Sequence, residues 1–208
     1  MTNIILLFSS LASGYLLGSL NSAVIVGKIY GKDIRSCGSR SAGLTNTLRV
    51  LGKTAAVFVL VGDILKGIIA CFIGLIFFEV YFYTGEAQDS VSLLIAGLGA
   101  VIGHNWPLLF KFKGGKGALT SVSVLFVVDW VMALLYIVFF ILIVAITRYV
   151  SLGTISATGF IAVVSFIPVF GHTFYFNIFA CLMATMIIIK HRENIQRLLS
   201  GTENKLIF

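Results

Sequence analysis

The sequence predicts an all-α integral membrane protein with seven transmembrane helices, its N-terminus outside and its C-terminus cytoplasmic. Three observations predict it: the composition is too apolar for a water-soluble core, the apolar residues form runs of bilayer length, and the basic residues gather on one side of those runs. Of 208 residues, 59% are hydrophobic and only 11% charged, with a mean hydropathy of +1.05. One soluble core of this size cannot hide that much apolar surface, so lipid must act as solvent. The net charge of +7 would suggest nucleic acid in a soluble protein. In a membrane protein it reflects loops facing the anionic cytoplasmic leaflet, and no nucleic-acid partner is expected.

A helix needs roughly 20 apolar residues to cross a hydrocarbon core about 30 Å thick. Runs at 4–26, 54–78 and 91–110 qualify. No Lys or Arg precedes Lys28, so the first run lacks the basic flank of a cleavable signal and reads as a span. The run 119–147 is interrupted by Asp129-Trp130, and further runs follow at 150–170 and 173–190. Charge decides how to count the interrupted run, because basic residues in short loops stay cytoplasmic. The loop 27–53 carries Lys28, Lys32, Arg35, Arg40, Arg49 and Lys53 against Asp33, whereas the loop 79–90 carries Glu79, Glu86 and Asp89 and no base. If Asp129 marks an external turn, Lys111, Lys113, Lys116, Arg148, Lys190, Arg192, Arg197 and Lys205 all lie inside. Seven spans result. The piece before Asp129 rises only about 18 Å as a helix, so it is expected to start nearer Lys116 and to tilt or meet a thin bilayer.

Within the second span, Asp63 and Lys66 are three apart and share a helix face, where pairing lowers the cost of burying either charge; they are expected to be a structural strut, with a direct functional role as the alternative. Cys37, Cys71 and Cys181 have no metal-type spacing and suggest ordinary packing. Neither a linker nor a tandem repeat is visible, so residues 1–208 are expected to form one domain.

Three polar segments converge on the cytoplasmic side in this topology. The first, Gly38-Ser39-Arg40-Ser41-Ala42-Gly43-Leu44-Thr45-Asn46-Thr47-Leu48-Arg49, combines glycines with hydroxyls, an amide and an arginine suited to a phosphate. Such segments also make plain turns, and composition does not separate the two. The second runs Gly103-His104-Asn105-Trp106-Pro107 through Lys111-Phe112-Lys113-Gly114-Gly115-Lys116-Gly117-Ala118-Leu119-Thr120. A Gly-Gly-Lys-Gly turn opening a helix gathers N–H groups and an ammonium round one point, as an anion requires, although a basic loop with a glycine turn would look the same. Lys116 is followed by Gly117 rather than Ser or Thr, which argues against a nucleotide-binding P-loop. In the third, the tail from Lys190 to Lys205, His191 and Asn194 are three apart and would point to one side of a helix; a basic tail lying on the membrane is the alternative.

Taken together and in this order, these segments resemble the bacterial acyl-phosphate:glycerol-3-phosphate acyltransferases. The similarity covers nearly the whole chain and also includes Gly14-Tyr15-Leu16-Leu17-Gly18-Ser19, Asp63-Ile64-Leu65-Lys66-Gly67 and Arg148-Tyr149-Val150-Ser151. Arg40 and Ser41 stand where the first motif usually has glycine and asparagine, Leu44 replaces a common alanine, and Asn21 stands where proline is frequent. The resemblance implies a seven-helix enzyme of the bacterial inner membrane whose active site faces the cytoplasm. It would transfer a fatty acyl group from acyl phosphate to the 1-position of glycerol 3-phosphate, giving lysophosphatidic acid and inorganic phosphate, with no metal, cofactor or obligate protein partner.

The same resemblance, with charge logic, assigns phosphate binding to Arg49, Lys116 and the backbone of Gly114, Gly115 and Gly117, with His104 and Lys111 beside them. Ser39, Thr45 and Asn46 complete the first loop, and Glu203 is structural, able to pair with a nearby arginine. Ser39, His191 and Asn194 are the catalytic candidates. An acyl phosphate already carries a good leaving group, so the protein's tasks are to position the hydroxyl and neutralise charge. The His and Asp five apart used by acyl-CoA-dependent enzymes are absent, since Leu109, Asn177 and Gln196 occupy those positions after His104, His172 and His191. Either His191 or the donor's own phosphate takes the proton. An anion transporter is the competing class; the missing repeat and the one-sided polar residues weigh against it.

Overall fold

The computed structural model describes residues 2–82 and 91–206, and side chains for 4–77 and 91–206. Among the described residues there are helices and no strands, and they pack as two compact units, Met1–Val128 and Asp129–Phe208.

In the first unit α1 (Thr2–Gly18), α2 (Ser22–Ile29), α3 (Leu44–Leu51), α4 (Lys53–Phe82), α5 (Val91–Asn105) and α6 (Ala118–Val128) follow in order. The first run, expected as one span at 4–26, is helical in two pieces. Asn21 adopts an extended conformation and its side chain accepts a hydrogen bond from the Val24 N–H at 3.0 Å, so it caps a new helix. Glycine brings α1 and α5 together: a Cβ on Gly14, Gly18 or Gly103 would strike the backbone carbonyl of Ala96, Ala100 or Tyr15. Small residues allow this approach, which is how apolar helices find contact area where water supplies no driving force. α4 carries the unit, packing against α1, α2, α3, α5 and α6. A buried cluster of Ala23, Val24, Val26, Ile34, Ala42, Ala55 and Val59 anchors the segment between α2 and α4. Of the acidic loop expected at 79–90, the start belongs to α4 and residues 83–90 lie outside the described residues.

The second unit holds α7 (Trp130–Thr147), α8 (Val150–Val164), α9 (Phe174–Lys190) and α10 (Arg192–Leu199). The interruption at Asp129 is a true helix break. Its side chain caps α7 by accepting from the Met132 N–H at 2.9 Å and holds His172 Nε2 at 2.7 Å, while the His172 ring stacks on Phe176. α8 packs on α7 and α9, and α10 lies against α8 and α9. α9 and α10 meet at His191 with a bend of 61°.

Among the described residues, four helical segments are long and apolar enough to cross a bilayer, at Ile4–Ile29, Lys53–Phe77, Val91–Phe110 and Trp130–Thr147, or five if the bent pair Phe174–Lys190 and Arg192–Leu199 is one span. α6 and α8 are shorter apolar helices. Large side chains such as Phe8, Ile29, Phe58, Ile146 and Val163 are exposed on them, as lipid-facing residues must be.

Candidate functional site

The first polar segment is built around one side chain. Asn46, on the first turn of α3 and fully buried, directs its amide nitrogen at the carbonyls of Ile34, Cys37 and Ser41 at 3.0–3.1 Å. Its oxygen accepts from the Ser39 N–H at 2.8 Å. Residues 37–41 therefore wrap round Asn46, and the structure places this side chain inside the loop as its scaffold. Gly38 has a positive φ and sits against Asn46 Oδ1, where a side chain would collide. Arg40 also has a positive φ, 59°. That is the left-handed conformation which glycine adopts at no steric cost, and it explains why glycine is the usual residue at this point of the motif. Asn21, besides capping α2, reaches the Ala42 carbonyl at 3.5 Å. Ser39 and Thr45 are partly exposed, and Arg49 is exposed at the end of α3.

The second segment meets the first at Gly115. A Cβ on Gly115 would lie 2.5 Å from the Ala42 carbonyl and would also strike His104 Nε2, so loop, ring and first motif are in contact. The Gly115 N–H donates to the His104 carbonyl at 3.1 Å, and a side chain on Gly114 would strike that same carbonyl. Gly117, with φ +78°, lies against the Asn105 amide. Backbone thus packs where side chains cannot, and Lys116 emerges between these glycines, half-buried, at the N-terminal side of α6. Arg35 Nη1 donates to the Phe110 carbonyl at 3.3 Å, and Lys28 lies over the Phe110 ring. Lys111 occupies an exposed left-handed turn with Phe112.

Behind this loop is a buried polar cluster. Lys66 Nζ is 2.7 Å from Asp63 Oδ1, 2.7 Å from His104 Nδ1 and 3.3 Å from the Leu20 carbonyl. The i, i+3 pair is present, and His104 joins it.

In the second unit His191 is buried, with Nδ1 2.8 Å from the Ile187 carbonyl. A carbonyl only accepts, so Nδ1 bears a proton, and in the neutral ring the lone pair is at Nε2. Asn194, also buried, donates to Glu203 Oε1 at 2.7 Å. Glu203 further accepts from Ser151 at 2.9 Å and from Arg197 Nε at 2.7 Å. Burial pushes the Glu203 pKa up, but the hydrogen bonds from Arg197, Asn194 and Ser151 outweigh it and hold the carboxylate below its ordinary value. The arginine that pairs with Glu203 is therefore Arg197.

Sequence reasoning gave no individual role to Ser151 or Asn105. The first is visible in the sequence only as part of a motif, and its link to Glu203 spans 52 residues. The second adjoins His104, and its burial behind Gly117 has no periodicity to reveal it.

A family profile described as glycerol-3-phosphate acyltransferase matches residues 8–201. The chain is 42% identical over 193 residues to a glycerol-3-phosphate acyltransferase of Thermoanaerobacter pseudethanolicus, covering 92% of this chain and 91% of that one. It is 40% identical over 206 residues to one of Shouchella clausii, covering 98% and 97%. Among solved structures it resembles PlsY, an integral membrane glycerol 3-phosphate acyltransferase. The glycerol 3-phosphate form superposes with a TM-score of 0.86 at 37% identity, covering 97% of this chain and 96% of that one. The lysophosphatidic acid form gives 0.84 at 36% identity, covering 97% and 95%.

Proposed function

The chain belongs to the glycerol-3-phosphate acyltransferase family, and from that premise we propose that it transfers a fatty acyl group from acyl phosphate to the 1-hydroxyl of glycerol 3-phosphate. The hydroxyl oxygen attacks the acyl carbonyl carbon, an ester C–O bond forms, and the bond from that carbon to the phosphate oxygen breaks. Lysophosphatidic acid and inorganic phosphate leave, and the hydroxyl proton passes to the departing phosphate or to His191 Nε2.

One observation carries this reading: the contact of Gly115 with both Ala42 and His104, which brings the two cationic motifs side by side. Both substrates bear a phosphate, and backbone N–H groups with Lys116 and Arg49 would neutralise one. Ser39 and Thr45 lie on the loop that Asn46 organises and would orient the phosphate or the hydroxyl, with Lys111 adding charge at the rim. The half-transferred acyl group would place negative charge on the carbonyl oxygen, which prealigned donors stabilise without reorganising. Ser39, His191 and Asn194 are the catalytic residues of this scheme, and Glu203 keeps the Asn194 amide in one orientation.

The same reading takes residues 1–208 as one catalytic domain of seven spans in a bacterial inner membrane. The helices that meet the length test, together with α6, α8 and α9, supply seven apolar segments, and the basic residues between them favour a cytoplasmic active site with the N-terminus outside.

The test is turnover of the purified protein with glycerol 3-phosphate and palmitoyl phosphate, against palmitoyl-CoA and a Lys116→Ala variant. Lysophosphatidic acid and phosphate in equal amounts from the acyl phosphate alone are expected, with roughly hundredfold less from the variant. Folded protein that makes no product from acyl phosphates of several chain lengths would overturn the reading.

A further inference from the structure

The buried cluster behind the phosphate loop has a chemistry that a structural strut does not need. Lys66 Nζ forms an ion pair with Asp63 Oδ1 and hydrogen bonds with His104 Nδ1 and the Leu20 carbonyl. The Asp63 carboxylate, 2.7 Å away, is the counter-charge that a buried ammonium requires. His104 Nδ1 is 2.7 Å from Lys66 Nζ but 3.6 Å from Asp63 Oδ1, beyond hydrogen-bonding distance, so its partner is the lysine, and against a charged lysine, which can only donate, Nδ1 presents its lone pair. A neutral imidazole that accepts at Nδ1 carries its proton on Nε2. Nε2 is the atom a Cβ on Gly115 would strike, so the proton is carried on the side of the ring that faces the Gly-Gly-Lys-Gly turn.

We propose that Asp63 and Lys66 are a positioning pair that holds His104 neutral with its proton on Nε2, aimed as a donor at a phosphoryl oxygen held by the 114–117 turn. This rests on the phosphate-binding role given to that turn. An unconstrained imidazole would distribute its proton between both nitrogens, and an imidazolium would place a second buried cation beside Lys66. The Asp63-Lys66 pair removes both alternatives. His104 touches the substrate in this scheme, whereas Asp63 and Lys66 act through it.

Two readouts test it. In protein with 15N-labelled histidine, assigned by a His104→Gln variant, the imidazole nitrogens should report a neutral ring protonated at Nε2. A proton on Nδ1, or a freely exchanging pair of tautomers, would overturn the proposal whatever the enzyme turns over. Failure of the wild-type protein to make product would instead sink the functional reading and leave this spectrum to be judged alone. The second readout is kinetic. Asp63→Ala/Lys66→Met removes both charges together, so neither is left uncompensated. It should raise KM for a phosphate-bearing substrate roughly tenfold, with a smaller change in kcat. In the His104→Gln background, whose amide donates without tautomer control, the same pair of substitutions should change KM less than about threefold. An equal rise in both backgrounds, or none in either, would make the pair a strut and nothing more. If the double variant does not fold, the wild-type spectrum still decides.

Discussion

Asp63 and Glu203 are both carboxylates held by a cation, but the two regions hold them by different means. Asp63 is 2% exposed and meets a lysine one helical turn away that is 5% exposed, inside a span where no water can substitute. Glu203 is 8% exposed, but its partner Arg197 is 31% exposed, and Asn194 and Ser151 share the load. In the first region a charge depends on one opposite charge. In the second, a carboxylate depends on a network of which each member supplies part. Asp33 with Arg35, at 48% and 26% exposure, extends the series to the surface. The difference teaches that an ion pair's importance follows the availability of water as a replacement partner rather than the distance between its atoms, because all three pairs are 2.7–2.9 Å apart.

The comparison can be broken at its strongest point first. Lys66→Met alone leaves the Asp63 carboxylate buried without its counter-ion, and a loss of about 3–5 kcal/mol is expected, read as thermal unfolding in detergent. A variant as stable as the wild type would show that water enters this cluster and would erase the contrast.

Glu203→Gln comes next. It retains an acceptor for Ser151 and Asn194 but loses the charge that Arg197 meets, for about 1–2 kcal/mol. The sign with pH is fixed by the direction of the shift. The folded-state pKa lies below the ordinary value of 4.5, so the stability that this network contributes is complete above that value. It is lost as pH falls through the lower folded-state pKa. Unfolding followed from pH 6 downward should therefore lose less stability in Glu203→Gln than in the wild type. Parallel curves would mean the carboxylate titrates alike in folded and unfolded protein.

Asp33→Asn should matter least. Hydrogen bonds from Arg35 bring the Asp33 pKa down to about 2, yet solvent screens the pair, so a change below about 0.5 kcal/mol is expected from the same unfolding measurement. A loss matching that of Glu203→Gln would overturn the ordering by exposure.

The sequence carried much of this, and particular residues show where it stopped. The Asp63 and Lys66 pairing was legible from a spacing of three, since helical geometry alone brings such residues together. His104 was legible as part of a glycine-rich motif but not as the third member of that cluster, because 38 residues separate it from Lys66. The helix break at Asp129 is legible in the sequence, and its role as a helix cap is the local reason. Asn21 carried the same signal, a capping side chain before a new apolar run, yet the uninterrupted hydropathy of 4–26 masked it. Asn46 was placed among the substrate ligands by its motif, and the structure puts its amide among the carbonyls of its own loop.

The sequence by itself determined what is local or additive: an apolar chain that needs lipid, helices of bilayer length, basic residues between particular runs, and glycines where backbone must turn tightly or approach closely. Composition and period suffice for these, because each depends on neighbours a few residues away. Only the tertiary structure decided which polar atoms meet. The packing of α1, α4 and α5 brings Leu20, Lys66 and His104 together, and the bend at His191 brings Ser151, Asn194, Arg197 and Glu203 together. Lys66 meets His104 across 38 residues and Ser151 meets Glu203 across 52, and hydrogen bonding requires agreement within tenths of an ångström, which no spacing rule in a sequence encodes.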